Sequence, residues 1–188
     1  DSEEIAEVSR QYGAEVPFMR PPELSQDLSP DIDFFNHAIT ELGATGYRPD
    51  IIVQLRPTDP IRRHGLVDDG VQLLIDNPEA HSVRTIAEPG YSPYKMWTVS
   101  ESGTLDPLLT VPGIAESFNL PRQDLPEVWW HIGVLDVIRT DLITQTNSLS
   151  GTVILPLMLE RAASADIDTL DDFERAGKLL ESLDCVRP

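Results

Sequence analysis

Asp166 and Asp168 flank a single isoleucine in the stretch SADIDTLDDF, residues 164–173. In an extended segment residues i and i+2 share a face, so the two carboxylates stand about 6.6 Å apart or closer and repel unless a cation lies between them. Oxygen ligation of a hard divalent ion is the chemistry this spacing offers. The competing reading is an acidic helix entry, since a helix N-terminus favours negative charge. Helix chemistry accounts for part of the cluster: Thr169 followed three residues later by Asp172 reads as a capping box.

Bases are scarce, 14 Lys and Arg against 32 Asp and Glu, so their positions are informative. Arg20 follows a strand-like run, Arg56 and Arg62 bracket the loop RPTDPIRR, Lys95 sits in SPYKMW and Arg122 in PRQDLP. Each lies beside prolines in an expected loop. Singly, such residues read as solvated surface charges. Together, opposite an Asp-x-Asp pair, they read as a cradle for a phosphorylated or carboxylated ligand with a divalent ion. The four histidines, at 37, 64, 81 and 131, have no metal-ligand spacing and read as structural or exposed. Trp97, Trp129 and Trp130 are assigned to the core or an interface rather than to a stacking platform. Serine, cysteine and histidine form no nucleophile constellation, and no glycine-rich phosphate loop is present.

These residues need a scaffold. Ser2, with Glu3 and Glu4 behind it, predicts a helix ending at Gly13, with Ile5, Val8 and Tyr12 at helical spacing. EVPF predicts a short strand. Ser29 and Pro30 open a helix through about Leu42 with Ile32, Phe35, Ile39 and Leu42 on one face. PDIIVQL (49–55) and HSVRTIAE (81–88) read as strands around a helix at 64–76. YKMWTVSESGTLDPLL predicts a hairpin beside the main sheet, and the proline-rich residues 111–127 an excursion from it. Residues 128–139 and 152–159 read as strands, and 169–183 as a helix with Leu170, Phe173, Gly177, Leu180 and Leu183 on one stripe. Alternating strands and helices argue for an α/β, mostly parallel sheet with helices on both faces. Ligands bind such sheets beyond the carboxyl ends of the strands, where the loop after Leu55 and the acidic pair both fall.

Bulk properties narrow the function. The 188 residues suit a single domain, and 40% hydrophobic content excludes disorder. A formal charge of −18 excludes nucleic acid as a partner and requires any nucleotide to be met by local bases or metal ions. Cys185 is the only cysteine, which excludes an internal disulfide and points to a reducing, cytoplasmic setting. No apolar run approaches the roughly 18 residues that would span a bilayer.

The ordered motifs YGAEVPFMRPPELSQD, IIVQLRPTDPIR, SPYKMW, PRQDLP and DIDTLDDFERA resemble the acylneuraminate cytidylyltransferases, the CMP-sialic acid synthetases, together with their CMP-Kdo-forming relatives. The likeness runs across nearly the whole chain. It implies a Rossmann-like nucleotide-diphospho-sugar transferase sheet carrying one cytidylyltransferase-like domain over 1–188, with 111–130 a dimerisation or lid excursion in a homodimer. It also implies attack by the anomeric hydroxyl of a nonulosonic or other keto sugar acid on the α-phosphate of CTP, with pyrophosphate released. By the same likeness Asp166 and Asp168 hold Mg2+ and, with Lys95, form the catalytic set; Arg20 contacts the nucleotide; Arg56, Lys95 and Arg122 approach the sugar acid. Sialic acid enzymes of the family usually carry glutamine where Arg56 stands, and arginine and asparagine where Trp130 and Ile132 stand, which implies a different grip or a different acid. The family's first strand and triphosphate-cradling loop are expected ahead of DSEEIAEV. The alternatives are a nucleotide-sugar glycosyltransferase using Asp-x-Asp, or a truncated or degenerate relative that binds nucleotide without turnover.

Overall fold

The computed structural model describes residues 1–161 and 165–182; Leu183 and Cys185 lie outside them. Helix α1 spans Glu3–Gln11, α2 Asp31–Ala44, α3 Leu66–Ile75, α4 Thr140–Thr146 and α5 Leu170–Ser182. Strands β1 (Ile51–Gln54), β5 (Trp130–Arg139), β2 (Ser82–Ala87) and β6 (Ile154–Met158) form the main sheet in that spatial order. Strands β3 (Trp97–Val99) and β4 (Leu105–Pro107) form a separate two-stranded sheet.

The α/β expectation holds, and strand direction refines it. β2 pairs in parallel with β6, while β5 runs antiparallel to both β1 and β2. Three strands therefore share one direction and β5 alone is reversed, because it re-enters the sheet from the excursion rather than from a crossover helix. The carboxyl ends of β1, β2 and β6 and the start of β5 consequently meet at one edge of the fold.

Pleating divides the core. Val53, Val83, Val134 and Val137 face α3 through Leu66 and Leu74. A Cβ added at Gly70 would lie 2.7 Å from Leu135 Cδ2, so the bare backbone of α3 sets how closely it sits on the sheet. Ile52 and Ile138 face the other way, against Phe35 of α2 and Leu142 and Ile143 of α4. Helices thus cover both faces at the β1/β5 half. β6 is an edge strand among the described residues, and its odd-numbered residues bond to β2, as Leu159 N–H does to the Ile86 carbonyl at 2.9 Å. Pro156 therefore sits with its nitrogen toward the open side.

Three local expectations fail in whole or in part. Residues 15–18 form no strand, because a strand exists only through a partner and none pairs there among the described residues. The stripe expected on α5 holds only at Leu180, which packs together with Ala176 and Leu179, while Leu170 is 83% and Phe173 65% exposed. Trp97, Trp129 and Trp130 are all exposed, which removes the core half of the core-or-interface expectation. Helix α4 went unanticipated, since TDLITQT is a two-turn element rich in threonine with no full apolar period.

Candidate active site

The loop after β1 is built as a clamp. The Arg56 carbonyl accepts the Asp59 N–H at 3.1 Å and an Arg62 guanidinium N–H at 2.6 Å, and Arg62 Nε–H also reaches the Val134 carbonyl at 3.2 Å. Burial lowers the pKa of Arg62, with Asp59 opposing that shift. Ile61, Ala165 and Ala176 form a buried cluster to which Ile167, Leu179 and Leu180 are added. The Asp59 carboxylate, only 1% exposed, accepts the Ala165 N–H at 3.0 Å, and the Thr58 carbonyl accepts the Ile167 N–H at 2.9 Å. With Ala165 and Ile167 turned inward, pleating turns Asp166 and Asp168 outward on one face, as their spacing predicts.

The next four residues complete the capping box. Thr169 N–H donates to Asp172 Oδ2 at 3.0 Å and Asp172 N–H donates to Thr169 Oγ1 at 3.2 Å. The Thr169 hydroxyl bond, followed by backbone N–H groups and Arg175, holds the Asp172 carboxyl below the usual range. Asp166 shifts the opposite way. Burial raises it first, then the like charges of Asp168, Asp59 and Asp172, while Arg56 opposes them. Acids six residues apart thus have opposite fates: one is already satisfied and the other is short of positive charge. Among the described residues no group of three or more His, Cys, Asp or Glu side chains converges to hold a metal. Two neighbouring carboxylates, one disfavoured as an anion, nonetheless form an oxygen donor set that fits a divalent cation completed by substrate phosphates or water.

Arg56 lies over β5: a Cβ at Gly133 would fall 2.8 Å from Arg56 Cδ, and its guanidinium reaches Asp31 at 3.3 Å. The strand beneath it is irregular. Arg84 pairs with Asp136 but Ile86 with His131, so two steps along β2 match five along β5. The buried Thr85 hydroxyl fills this bulge, 2.8 Å from the Ile132 carbonyl and 3.0 Å from that of Leu135, and accepts the Leu135 N–H at 3.1 Å.

The remaining cations are held by other partners. Arg122 donates to the Pro89 carbonyl at 3.1 Å and lines a cavity of about 450 Å³ with Glu88, Ser92, Leu125, Glu127 and Trp129. Ser92, 8% exposed, has a buried hydroxyl without a hydrogen-bond partner among the described residues. Lys95 donates to the carbonyls of Phe118 and Leu120 at 3.2 and 2.8 Å, so it braces the turn leading to Arg122. Arg20 pairs with Asp1 and stands 5.5 Å over the Phe34 ring.

The chain is 26% identical to CMP-N,N'-diacetyllegionaminic acid synthase of Legionella pneumophila over 186 residues, covering 96% of this chain and 75% of that protein. The solved CMP:2-keto-3-deoxy-manno-octonic acid synthetase complexed with CTP superposes with a TM-score of 0.62 at 13% identity, covering 97% of this chain and 78% of that one. The chain is similar to the CMP-sialic acid synthetases. A second structure, 4-diphosphocytidyl-2C-methyl-D-erythritol synthase from Anaerococcus prevotii, matches at a TM-score of 0.53 and 14% identity over 95% of this chain and 76% of that chain. The fold is therefore the one these nucleotidyltransferases share. No family model matches the chain.

In this CMP-sialic acid synthetase-like chain, Asp166, Asp168 and Arg56 are the sequence-derived residues brought together, while Arg122 lines a cavity that none of the three borders. Asp59, Glu88 and Ser92 were missed. Nothing local in the sequence marks Asp59, whose partner Ala165 is 106 residues away, or Ser92. The histidines behave structurally where they bond: His81 Nδ1 accepts the N–H groups of Thr152 and Val153, and His131 pairs with Asp136 at 3.1 Å. No described helix is long and apolar enough to cross a membrane.

Proposed function

We propose that this protein transfers CMP from CTP to the anomeric hydroxyl of a nonulosonic acid. The hydroxyl oxygen forms a bond to the α-phosphorus, the bond from that phosphorus to the bridging oxygen breaks, pyrophosphate leaves and the hydroxyl proton is released. One observation carries the reading: a single loop docks the Asp166–Asp168 segment and presents Arg56 within electrostatic reach of Asp166, which supports an acid pair and a cation acting together at one edge of the sheet. Likeness over 96% of the chain to a CMP-N,N'-diacetyllegionaminic acid synthase supports a diacetamido nonulosonic acid as the first substrate to test.

Asp166 and Asp168 are assigned to Mg2+, which when bound would offset charge on the phosphate oxygens. Arg20 is assigned to the nucleotide. Arg56 and Arg122 grip the sugar acid, Arg122 from the cavity beside Glu88 and Arg56 from above Gly133. Lys95 serves the same half of the site, bracing the turn that carries Arg122. A cytoplasmic homodimer completes the proposal, with residues 111–130 meeting the partner; Val99, Leu105 and Ile114 in and beside this arm are exposed apolar side chains.

The test is pyrophosphate release by protein expressed from the complete reading frame, with CTP, Mg2+ and a panel of keto sugar acids. Release with at least one acid, lost in Asp168→Ala, is expected. Magnesium-dependent CTP binding without release from any acid would establish the binding-only alternative instead.

A further inference from the structure

We infer that Asp59 is the positioning residue that sets the register of the Asp166–Asp168 segment and so gives the protein its divalent-cation affinity. The inference rests on the cytidylyltransferase reading only for the purpose of that cation. Asp59 is as buried as the aliphatic core, and a carboxylate is costly to bury unless it is hydrogen-bonded or paired. It meets that cost through a partner on another part of the chain: its Oδ1 accepts the N–H of Ala165, 106 residues away. The neighbouring Thr58 carbonyl accepts the N–H of Ile167, so two bonds bracket Asp166 from one side.

This bracket matters because the segment has period two. A slip of one residue would turn Ala165 and Ile167 outward and bury Asp166 and Asp168 against Ile61. That cost already opposes a one-residue slip, but apolar contact with Ile61 does not by itself oppose a two-residue slip that keeps both acids outward. The directional bond from Asp59 selects one register. The same loop hands that register to Arg56: the Arg56 carbonyl accepts bonds from the Asp59 N–H and from Arg62, and Arg62 also holds the Val134 carbonyl inside the β5 bulge. Asp59 thus holds the acid-pair segment through its buried carboxylate and the Arg56 carbonyl through its backbone N–H, and that carbonyl is shared with the Arg62 side chain that reaches the irregular strand.

The test is Mn2+ binding followed by the electron paramagnetic resonance of the free ion, on nucleotide-free protein from the complete reading frame. Binding retained in Asp168→Ala is subtracted as the background of other acidic sites. Asp59→Ala is expected to weaken the remaining site by about tenfold or more, the scale on which groups that orient metal ligands act. Asp59→Asn keeps an acceptor oxygen and should stay within roughly threefold of the parent protein, a rescue that loss of buried charge alone would not allow. Far-ultraviolet circular dichroism and urea midpoints check folding. If Asp59→Ala does not fold, Asp59→Ser, with a shorter reach, takes its place against Asp59→Asn. Parent-like Mn2+ affinity in Asp59→Ala or Asp59→Ser, or no Asp168-dependent Mn2+ site in the parent, overturns the inference. Parent protein that binds Mn2+ through Asp168 yet transfers CMP to no acid would sink the proposed function and leave this inference standing.

Discussion

Two proline-rich loops leave the same edge of the sheet and are built in opposite ways. Residues 55–62 are drawn into the body of the protein, with Ile61 2% exposed, Asp59 buried, and three hydrogen bonds, to Ala165, Ile167 and Val134, tying the loop to neighbouring segments. The long path from Glu88 to Trp129 closes mainly on itself: its hairpin pairs only β3 with β4, its turns are short 3₁₀ segments, and Val99 is 72% exposed. The first loop fixes atoms relative to one another. The second presents side chains outward. A site assembled from both has one rigid wall, bearing the acids and Arg56, and one wall whose placement depends on Lys95 and its two carbonyl partners.

Mutations can break this contrast or sharpen it. Ile61→Ala should have the largest effect on stability, about 3 kcal/mol by urea denaturation, because it opens a cavity beneath Ala165 and Ala176. An effect below that of an ordinary surface substitution would mean that the first loop is not anchored as described. Thr169→Ala removes one half of the reciprocal cap on α5 and is expected to cost roughly 1 kcal/mol in the same assay.

The acids give a smaller, pH-dependent signature with opposed signs. Folded Asp166 keeps its proton to higher pH than the unfolded chain does, so its contribution to stability falls as pH rises through the window just above the ordinary aspartate value. Asp172 is lowered, so its contribution is lost only as pH falls below the ordinary value, through its folded pKa. Melting temperatures across this range should show Asp166→Asn flattening the upper limb, and Mg2+ doing the same for the parent protein. Smallest of all, Val99→Ser in the hairpin should change monomer stability by about 0.5 kcal/mol or less. Paired with Leu105→Ser, it should instead shift the sedimentation profile toward monomer if the arm joins two copies.

Much of this was legible in the chain. Cap chemistry located the start of α5, and the i, i+2 rule put Asp166 and Asp168 on one face, because both depend on near neighbours in sequence. Strand direction was not legible: hydrophobic runs at 51–54 and 130–139 look alike whichever way they run, and the reversal of β5 is decided by where the excursion returns. The packed face of α5 was misread for a related reason. Leu170 and Phe173 fit the helical period, yet the apolar cluster around Ile61 and Ile167 meets only the later turns of α5, at Ala176, Leu179 and Leu180. Asp59 is the clearest case of what sequence hides. An acid between proline-flanked loop residues reads as solvated until its distant partner is known.

Pro156 bears on how the molecule behaves in a crowded solution. A proline in the middle of β6 withholds one donor from the outer side of the sheet, so an incoming strand cannot complete a ladder there. Ile154 and Met158 can therefore stay partly uncovered beside it without turning that flank into a template for fibrillar growth.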